Sequence, residues 1–219
     1  MQALVRLNKH QGVNWRIVSA AAAASLIVSF PEKNHADCEK DQQLEGSCGV
    51  YFSSGETIMN WSGTHSYQPG KLYEPKNAQE VLRLLRFLHD CKIPARPVGT
   101  ALSPNGVSLN SKNAISLSAL DYIEVDPKSM LVTVGAGARV SDVLKELERY
   151  DLTISNFSSI TEQQIGGWTQ VAAHGTGATL PTVEEMIVRM KLATPTEGLL
   201  TLQCHPTSTS IPTSTLPSP

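Results

Sequence analysis

The sequence has no C-x-x-C pair, no G-K-[ST] phosphate motif and no strong excess of charge of either sign. Its 4 cysteines, Cys38, Cys48, Cys91 and Cys204, are too few and too scattered for a disulfide scaffold. Without C-x-x-C, neither a zinc ribbon nor a thioredoxin-type site is available. Free thiols are the expectation, and a Cys38–Cys48 pair is open only in an oxidising compartment. A formal net charge of -2 and a pI near 6.3 exclude the strongly basic footprint of a general nucleic-acid binder. No uninterrupted apolar run reaches about 18 residues, which excludes a polytopic membrane protein. What is present is ordinary globular material. The 219 residues are 41% hydrophobic and 17% charged, enough to bury the core of one or two domains.

The charge is unevenly spread. From Met1 to Pro31 there is no acidic residue, while Arg6, Lys9 and Arg16 precede the apolar stretch Ile17–Phe30. An acid-free, Arg-containing start fits an organelle transit peptide. A secretory signal or an uncleaved anchor has the same pattern, although the stretch is marginal for crossing a core of about 30 Å at about 1.5 Å per residue. Residues 1–36 are therefore read as a mitochondrial transit peptide or apolar segment, and 37–57 as a polar linker. Residues 58–202 read as the folded domain. Residues 203–219 read as a disordered tail, since from Pro206 on they are Pro, Ser and Thr apart from Ile211 and Leu216 and cannot bury enough apolar surface to fold.

In the middle of the chain, Val81, Leu84, Leu85 and Leu88 lie on one helical face behind Asn77 and Glu80, a capping-box-like start. Ala95–Val98 and Ala114–Leu117 read as short strands. Tyr122–Val125 and Met130–Val134 flank an Asp-Pro-Lys-Ser turn and read as a hairpin. Ser141 is expected to cap a second helix with Val143, Leu144 and Leu147 inside. Thr153–Asn156 reads as strand and Ser158–Gly177 as irregular loop. Alternation from Met186 to Leu192 reads as a half-buried strand. The class is α+β.

Three uncharged, glycine-bearing loops stand out. Gly99–Gly106 (GTALSPNG) follows a strand, and its N–H groups and the Thr100, Ser103 and Asn105 side chains suit a pyrophosphate. Gln163–Gly167 and Ala172–Ala178 are the other two. The dinucleotide fingerprint G-x-G-x-x-G is absent, because Gly135-Ala136-Gly137 lacks the third glycine at its offset. Neither a Rossmann fold nor a P-loop is expected.

These stretches carry a resemblance. RPVGTALSPNG (96–106), SSITEQQIGG (158–167) and AAHGTGATLP (172–181) resemble the plant and algal L-galactono-1,4-lactone dehydrogenase family, as do NWSGTH (60–65), VTVGAGARV (132–140) and MKLATP (190–195). That family belongs to the vanillyl-alcohol oxidase group. The resemblance implies a PCMH-type FAD-binding domain, incomplete in its C-terminal part. It implies that Pro97, Val98, Gly99, Thr100, Ala101, Leu102, Ser103 and Asn105 form the FAD pyrophosphate loop. Ser159, Ile160, Gln163, Gly166 and Gly167 would form a second flavin loop, and His174, Gly175 and Thr176 a third. Ala136 would be the small residue near the flavin ring that limits oxygen access. Related oxidases attach FAD through a histidine where Leu102 stands here, so the flavin is expected to be non-covalent. His65 and His174 are open between local backbone bonding and cofactor contact. Trp61 is expected to pack, and Trp168 stands where an aliphatic residue is expected.

The resemblance also implies an aldonolactone substrate, cytochrome c as electron acceptor, a mitochondrial inner-membrane or intermembrane-space location, and an alternative non-catalytic role in respiratory complex I assembly. An aldonolactone or alditol oxidase is the further alternative. It runs out after Leu202, before the family's substrate-covering domain. No catalytic residue and no metal ligand is therefore assigned, and little or no turnover is expected from this chain alone.

Overall fold

In the computed structural model the described residues are 2–9, 48–107, 109 and 112–203, with the side chains of 8 and 9 excepted. The first helix, α1 (Ala78–Asp90), begins as its sequence dictates. The Asn77 Oδ1 accepts the Glu80 N–H at 3.0 Å, and the Glu80 carboxylate reaches back to the Lys76 N–H at 2.7 Å. Val81, Leu84 and Leu88 are its buried stripe. It stops at Cys91, after which Lys92 takes a left-handed φ of 53° and Pro94 bars continuation. The expected hairpin is β9 (Ile123–Asp126) with β10 (Leu131–Gly135). Its turn is tied by Asp126 Oδ1, which accepts from the N–H groups of Lys128 and Ser129.

Two sheets carry the domain. One is four-stranded, in the order β3 (Phe52–Ser53), β6 (Leu72–Tyr73), β8 (Ala114–Ser116), β7 (Arg96–Val98). Its last three strands are parallel, and α1 covers it through Leu84 and Leu88 against Val50, Tyr73 and Ile115. The other is five-stranded and antiparallel throughout. Its order is β13 (Gly198–Gln203), β12 (Ile187–Thr194), β1 (Gln2–Arg6), β10, β9. Helix α2 (Val140–Glu148) covers it, placing Val140, Val143 and Leu147 on Val132, Val134 and the β1 side chains Ala3 and Val5. The short strands β4 (Ile58–Met59) and β5 (Ser66–Tyr67) form a small hairpin, and β2 (Asn8–Lys9) pairs with β11 (Leu152–Thr153). This is the expected α+β class.

Several expectations are corrected. Residues 2–9, read as part of a leader, form β1 and β2, and β1 sits in the middle of the five-stranded sheet. Alternation of Ala3, Val5 and Leu7 inward is a strand pattern that the charge bias masked. The rest of 10–36 lies outside the described residues, as do 37–47 of the linker and the tail from 204. The end of that linker is not a linker: Val50 is buried and Phe52–Ser53 pairs with β6. Ser141 does not cap α2. Arg139 is the capping position, without a side-chain bond, and the first N–H groups are met by backbone carbonyls from a distant loop. The strand expected at Thr153–Asn156 is only Leu152–Thr153. Strand β13 was not foreseen at all. Cys48 is free, but Cys91 is disulfide-bonded, against the free-thiol expectation.

Candidate functional site

The first glycine loop leaves the C-terminal end of β7. Its carbonyls are bonded to the protein. Ala101 O accepts from the Trp61 N–H at 3.1 Å, and Ser103 O and Pro104 O both accept from Asn60 Nδ2 at 3.2 Å. Asn60 is 3% exposed and also binds Ser62 Oγ, Thr64 Oγ1 and the His65 N–H, so one buried amide organises residues 60–65 and clamps the loop. The N–H groups of Thr100, Ala101, Leu102 and Ser103 find no protein acceptor among the described residues. Ala101 is held at φ 51°, a left-handed conformation that costs a non-glycine residue about 1–2 kcal/mol.

The second loop repeats the pattern. Thr161 O and Gln163 O accept the N–H groups of Ser141 and Val140, and so cap α2. Glu162 O accepts from Thr100 Oγ1 at 3.0 Å, which joins this loop to the first. The N–H groups from Ser159 to Gln164 have no protein acceptor among the described residues. Two loops thus turn their carbonyls inward and leave a row of N–H donors outward, an arrangement that makes an anion cradle. Gln164 tightens the junction, since a Cβ on Gly99 would lie 3.0 Å from its Oε1.

From Gln164 the chain enters the short helix α3 (Ile165–Trp168). The Ile165 and Gly166 N–H groups bond Ala138 O and Ala136 O at 2.9 and 2.8 Å, bringing buried Ala136, at the end of β10, against Gly166. A Cβ on Gly166 would press on Ala136 at 3.1 Å, whereas one on Gly167 would meet nothing within 4 Å. Gly135 and Gly137 have another reason to be glycine. A Cβ there would collide with the carbonyls of Leu120 and Leu117, so close backbone packing explains both.

The third loop hangs on Asn156, whose Oδ1 accepts the Gly175 N–H at 2.6 Å and whose Nδ2 donates to Pro181 O at 3.0 Å. Two residues on, Ser158 Oγ donates to Gln163 Oε1 at 2.6 Å, which links this support to the second loop. His174 Nδ1 lies 2.9 Å from Gly175 O and its ring is exposed; Thr176 is exposed beside it. The structure therefore joins the first loop to the second directly and the second to the third through residues 156–158.

Sequence reasoning missed Asn60, Gln164 and Asn156. Asn60 had a signal, because it opens a stretch already singled out. His65 packs its ring on Gly106 and bonds Thr64 Oγ1, a supporting position behind the first loop. Trp61 was expected to pack, yet the residue is 62% exposed and its backbone N–H holds the loop. Trp168 is 1% exposed in the core under the five-stranded sheet, so the aromatic is accommodated where an aliphatic was expected. Two clefts among the described residues lie away from the loops. One, of about 590 Å³, lies at the opposite end of β7 beside Tyr67, Arg96 and Lys112. The other, of about 300 Å³, is lined by Tyr51, Glu74 and Lys76.

The family described as FAD binding domain matches residues 69–203. The chain belongs to that family. FAD is accordingly its cofactor. Its sequence is 45% identical over 147 residues to mitochondrial L-galactono-1,4-lactone dehydrogenase of Arabidopsis thaliana, which covers 67% of this chain and 24% of that protein. It is 44% identical over 185 residues to the Brassica oleracea enzyme of the same name, covering 83% and 30%. The chain thus spans between a quarter and a third of the length of these relatives. Wild-type BBE-like 1 of Physcomitrella patens shares the fold at a TM-score of 0.64, 16% identity, and coverage of 78% of this chain and 38% of that one.

The cradle fits the flavin cofactor on its own geometry. Outward N–H rows suit the diphosphate, the open space over Gly167 admits a close ligand surface, and half-buried Leu102 has no atom able to bond a flavin carbon.

Proposed function

We propose that this chain is the flavin-holding part of an FAD-dependent aldonolactone oxidoreductase that takes L-galactono-1,4-lactone to L-ascorbate. The observation that carries the cofactor site is the pair of adjacent loops whose carbonyls are bonded inward while the N–H groups of Thr100–Ser103 and Ser159–Gln164 have no acceptor among the described residues. In this reading Pro97–Ser103 and Asn105 hold one side of the diphosphate, and Ser159, Ile160, Gln163, Gly166 and Gly167 the other. His174, Gly175 and Thr176 close the third side, and Ala136 lies near the ring. FAD is bound without a covalent link. When bound, it supplies a hydride acceptor for the lactone carbinol and passes the electrons on, here to cytochrome c. The protein's share is to fix the cofactor and keep it oriented, the part of catalysis that proximity governs.

The names of the relatives support the substrate and a mitochondrial site of action; the inner membrane or the intermembrane space is our own reading. Apart from the His174 imidazole, whose Nδ1 lies against Gly175 O, the cradle offers N–H groups, amides and hydroxyls, which hold a cofactor but do not take a proton from a lactone. We therefore expect turnover by this chain alone to be low. The test is anaerobic mixing of FAD-loaded protein with L-galactono-1,4-lactone while the visible flavin band is followed. Bound flavin that bleaches slowly or not at all is expected. Fast bleaching would contradict low turnover, and bleaching only by a different sugar alcohol would contradict the substrate.

A second reading has its own support. Among the described residues strand β13 is an edge of the five-stranded sheet, with Leu199 and Leu202 exposed on its opposite faces, and an unpaired apolar edge is suited to protein contact. A non-catalytic role in assembling respiratory complex I would place the chain in a large membrane complex. Co-migration with such a complex, in a variant that binds no flavin, would favour it.

A further inference from the structure

The five-stranded sheet contains a strand that its neighbours in sequence do not supply. Strands β9, β10, β12 and β13 all fall within residues 69–203, the stretch that matches the FAD binding domain family, while β1 lies far outside it. Strand β1 pairs antiparallel with β10 from Gln2↔Gly135 to Arg6↔Leu131. On its other side it pairs antiparallel with β12, from Gln2↔Lys191 to Val5↔Ile187, with a register shift between Leu4 and Val5. Two strands antiparallel to the same neighbour run parallel to each other. Without β1, β10 and β12 would therefore face one another across about 9–10 Å, twice the ordinary strand spacing, with both inner edges unpaired.

The gap could not close easily. Parallel strands need slanted bonds in a different register, and the core beneath is shaped around β1. Ala3, Val5 and Leu7 are each 2% exposed or less and pack with Val132, Val134, Val143 and Leu147. The Leu7 N–H bonds Met130 O at 2.9 Å, which closes the ladder at the hairpin. At the other end Gln2 pairs with Gly135, the residue before Ala136. The strand thus braces the part of β10 that presents Ala136 to Gly166.

We infer that Gln2–Leu7 is a donated strand filling an acceptor slot between β10 and β12, which the sheet needs in order to close at its centre. Removal of residues 1–36 would open the slot in the centre of the sheet. The slot would then accept an extended segment of the same alternating apolar character, and the segment of this chain that matches it is Gln2–Leu7 itself. This inference does not depend on the flavin reading, and its tests need no cofactor.

Hydrogen exchange on the intact chain tests it directly. The amides of Ala3–Leu7 should be protected to the same extent as those of Val132–Val134, at least about 100-fold over free-peptide rates. Exchange of Ala3–Leu7 at free-peptide rates, with β10 protected, would overturn it. A second experiment uses Val5→Asp in the full chain and a fluorescent peptide of residues 1–9. Saturable peptide binding to the variant and none to the unmodified chain is expected. A variant with unchanged thermal midpoint and no peptide binding would overturn it. If the variant does not fold, exchange on the unmodified chain decides alone.

Discussion

Glycine-rich loops are poor evidence for a ligand until each glycine is asked what it avoids. Gly175 avoids Asn156 and the Phe157 carbonyl, and Gly137 avoids a carbonyl of the 117–120 segment, so the fold alone explains both. Gly167 avoids nothing among the described residues. We predict that Gly167→Ala changes stability by less than about 1 kcal/mol in either direction, since a helical Ala replaces Gly without a clash. The same change should weaken FAD binding by at least about tenfold, roughly 1.4 kcal/mol. Paired thermal melts and flavin fluorescence titrations check it, and an unchanged affinity would remove Gly167 from the cradle. Asn60 is the opposite case, a residue outside the loops on which the first loop depends. Asn60→Ala leaves the Ser103 carbonyl and the His65 N–H without their Asn60 partner, and leaves the Pro104 carbonyl only Thr64 Oγ1 as a donor. A loss of about 1–3 kcal/mol in chemical denaturation is expected, with weaker FAD binding alongside.

At the scale of elements, caps and turns were legible where the signal was local. Asn77 and Glu80 announced the start of α1, and Asp126-Pro127 announced the hairpin. Asn77→Ala should cost about 1 kcal/mol by denaturant titration. Helix α2 was misread at its start for the same reason in reverse. Its capping carbonyls come from Thr161 and Gln163, some twenty residues on, and no local pattern announces a cap supplied by tertiary structure. The arrangement couples the two, because the bonds that finish α2 also turn the second loop's donors outward. Strand β1 was hidden by composition. Its residues alternate correctly, but an acid-free start argued for a leader before periodicity was weighed.

For the whole molecule, the fold class was readable, while the order of strands was not. Strand order is set by non-local pairing, and a strand from the start of the chain between two strands from its second half leaves no mark at short range. Burial also sets a pH limit. It pushes the phenols of Tyr67, Tyr73 and Tyr122 above their ordinary value, with Cys48 adding to the effect at Tyr73 and Glu124 at Tyr122. The fold therefore favours the neutral phenol. That contribution is complete below about pH 10 and is lost as pH rises above it, since the unfolded chain ionises first. Denaturant midpoints should be flat with respect to these groups near neutrality and fall above about pH 10, and Tyr73→Phe should reduce the fall.

The central claim is that backbone donors of two joined loops hold FAD without a covalent bond. Its most direct test is titration of the purified full chain with FAD, followed by denaturation and separation of small molecules from polypeptide. The expected result is saturable binding of one flavin per chain, with all of the flavin recovered free after denaturation. A chain that leaves the flavin spectrum unchanged at every concentration, or one that keeps its colour on the denatured polypeptide, would contradict it.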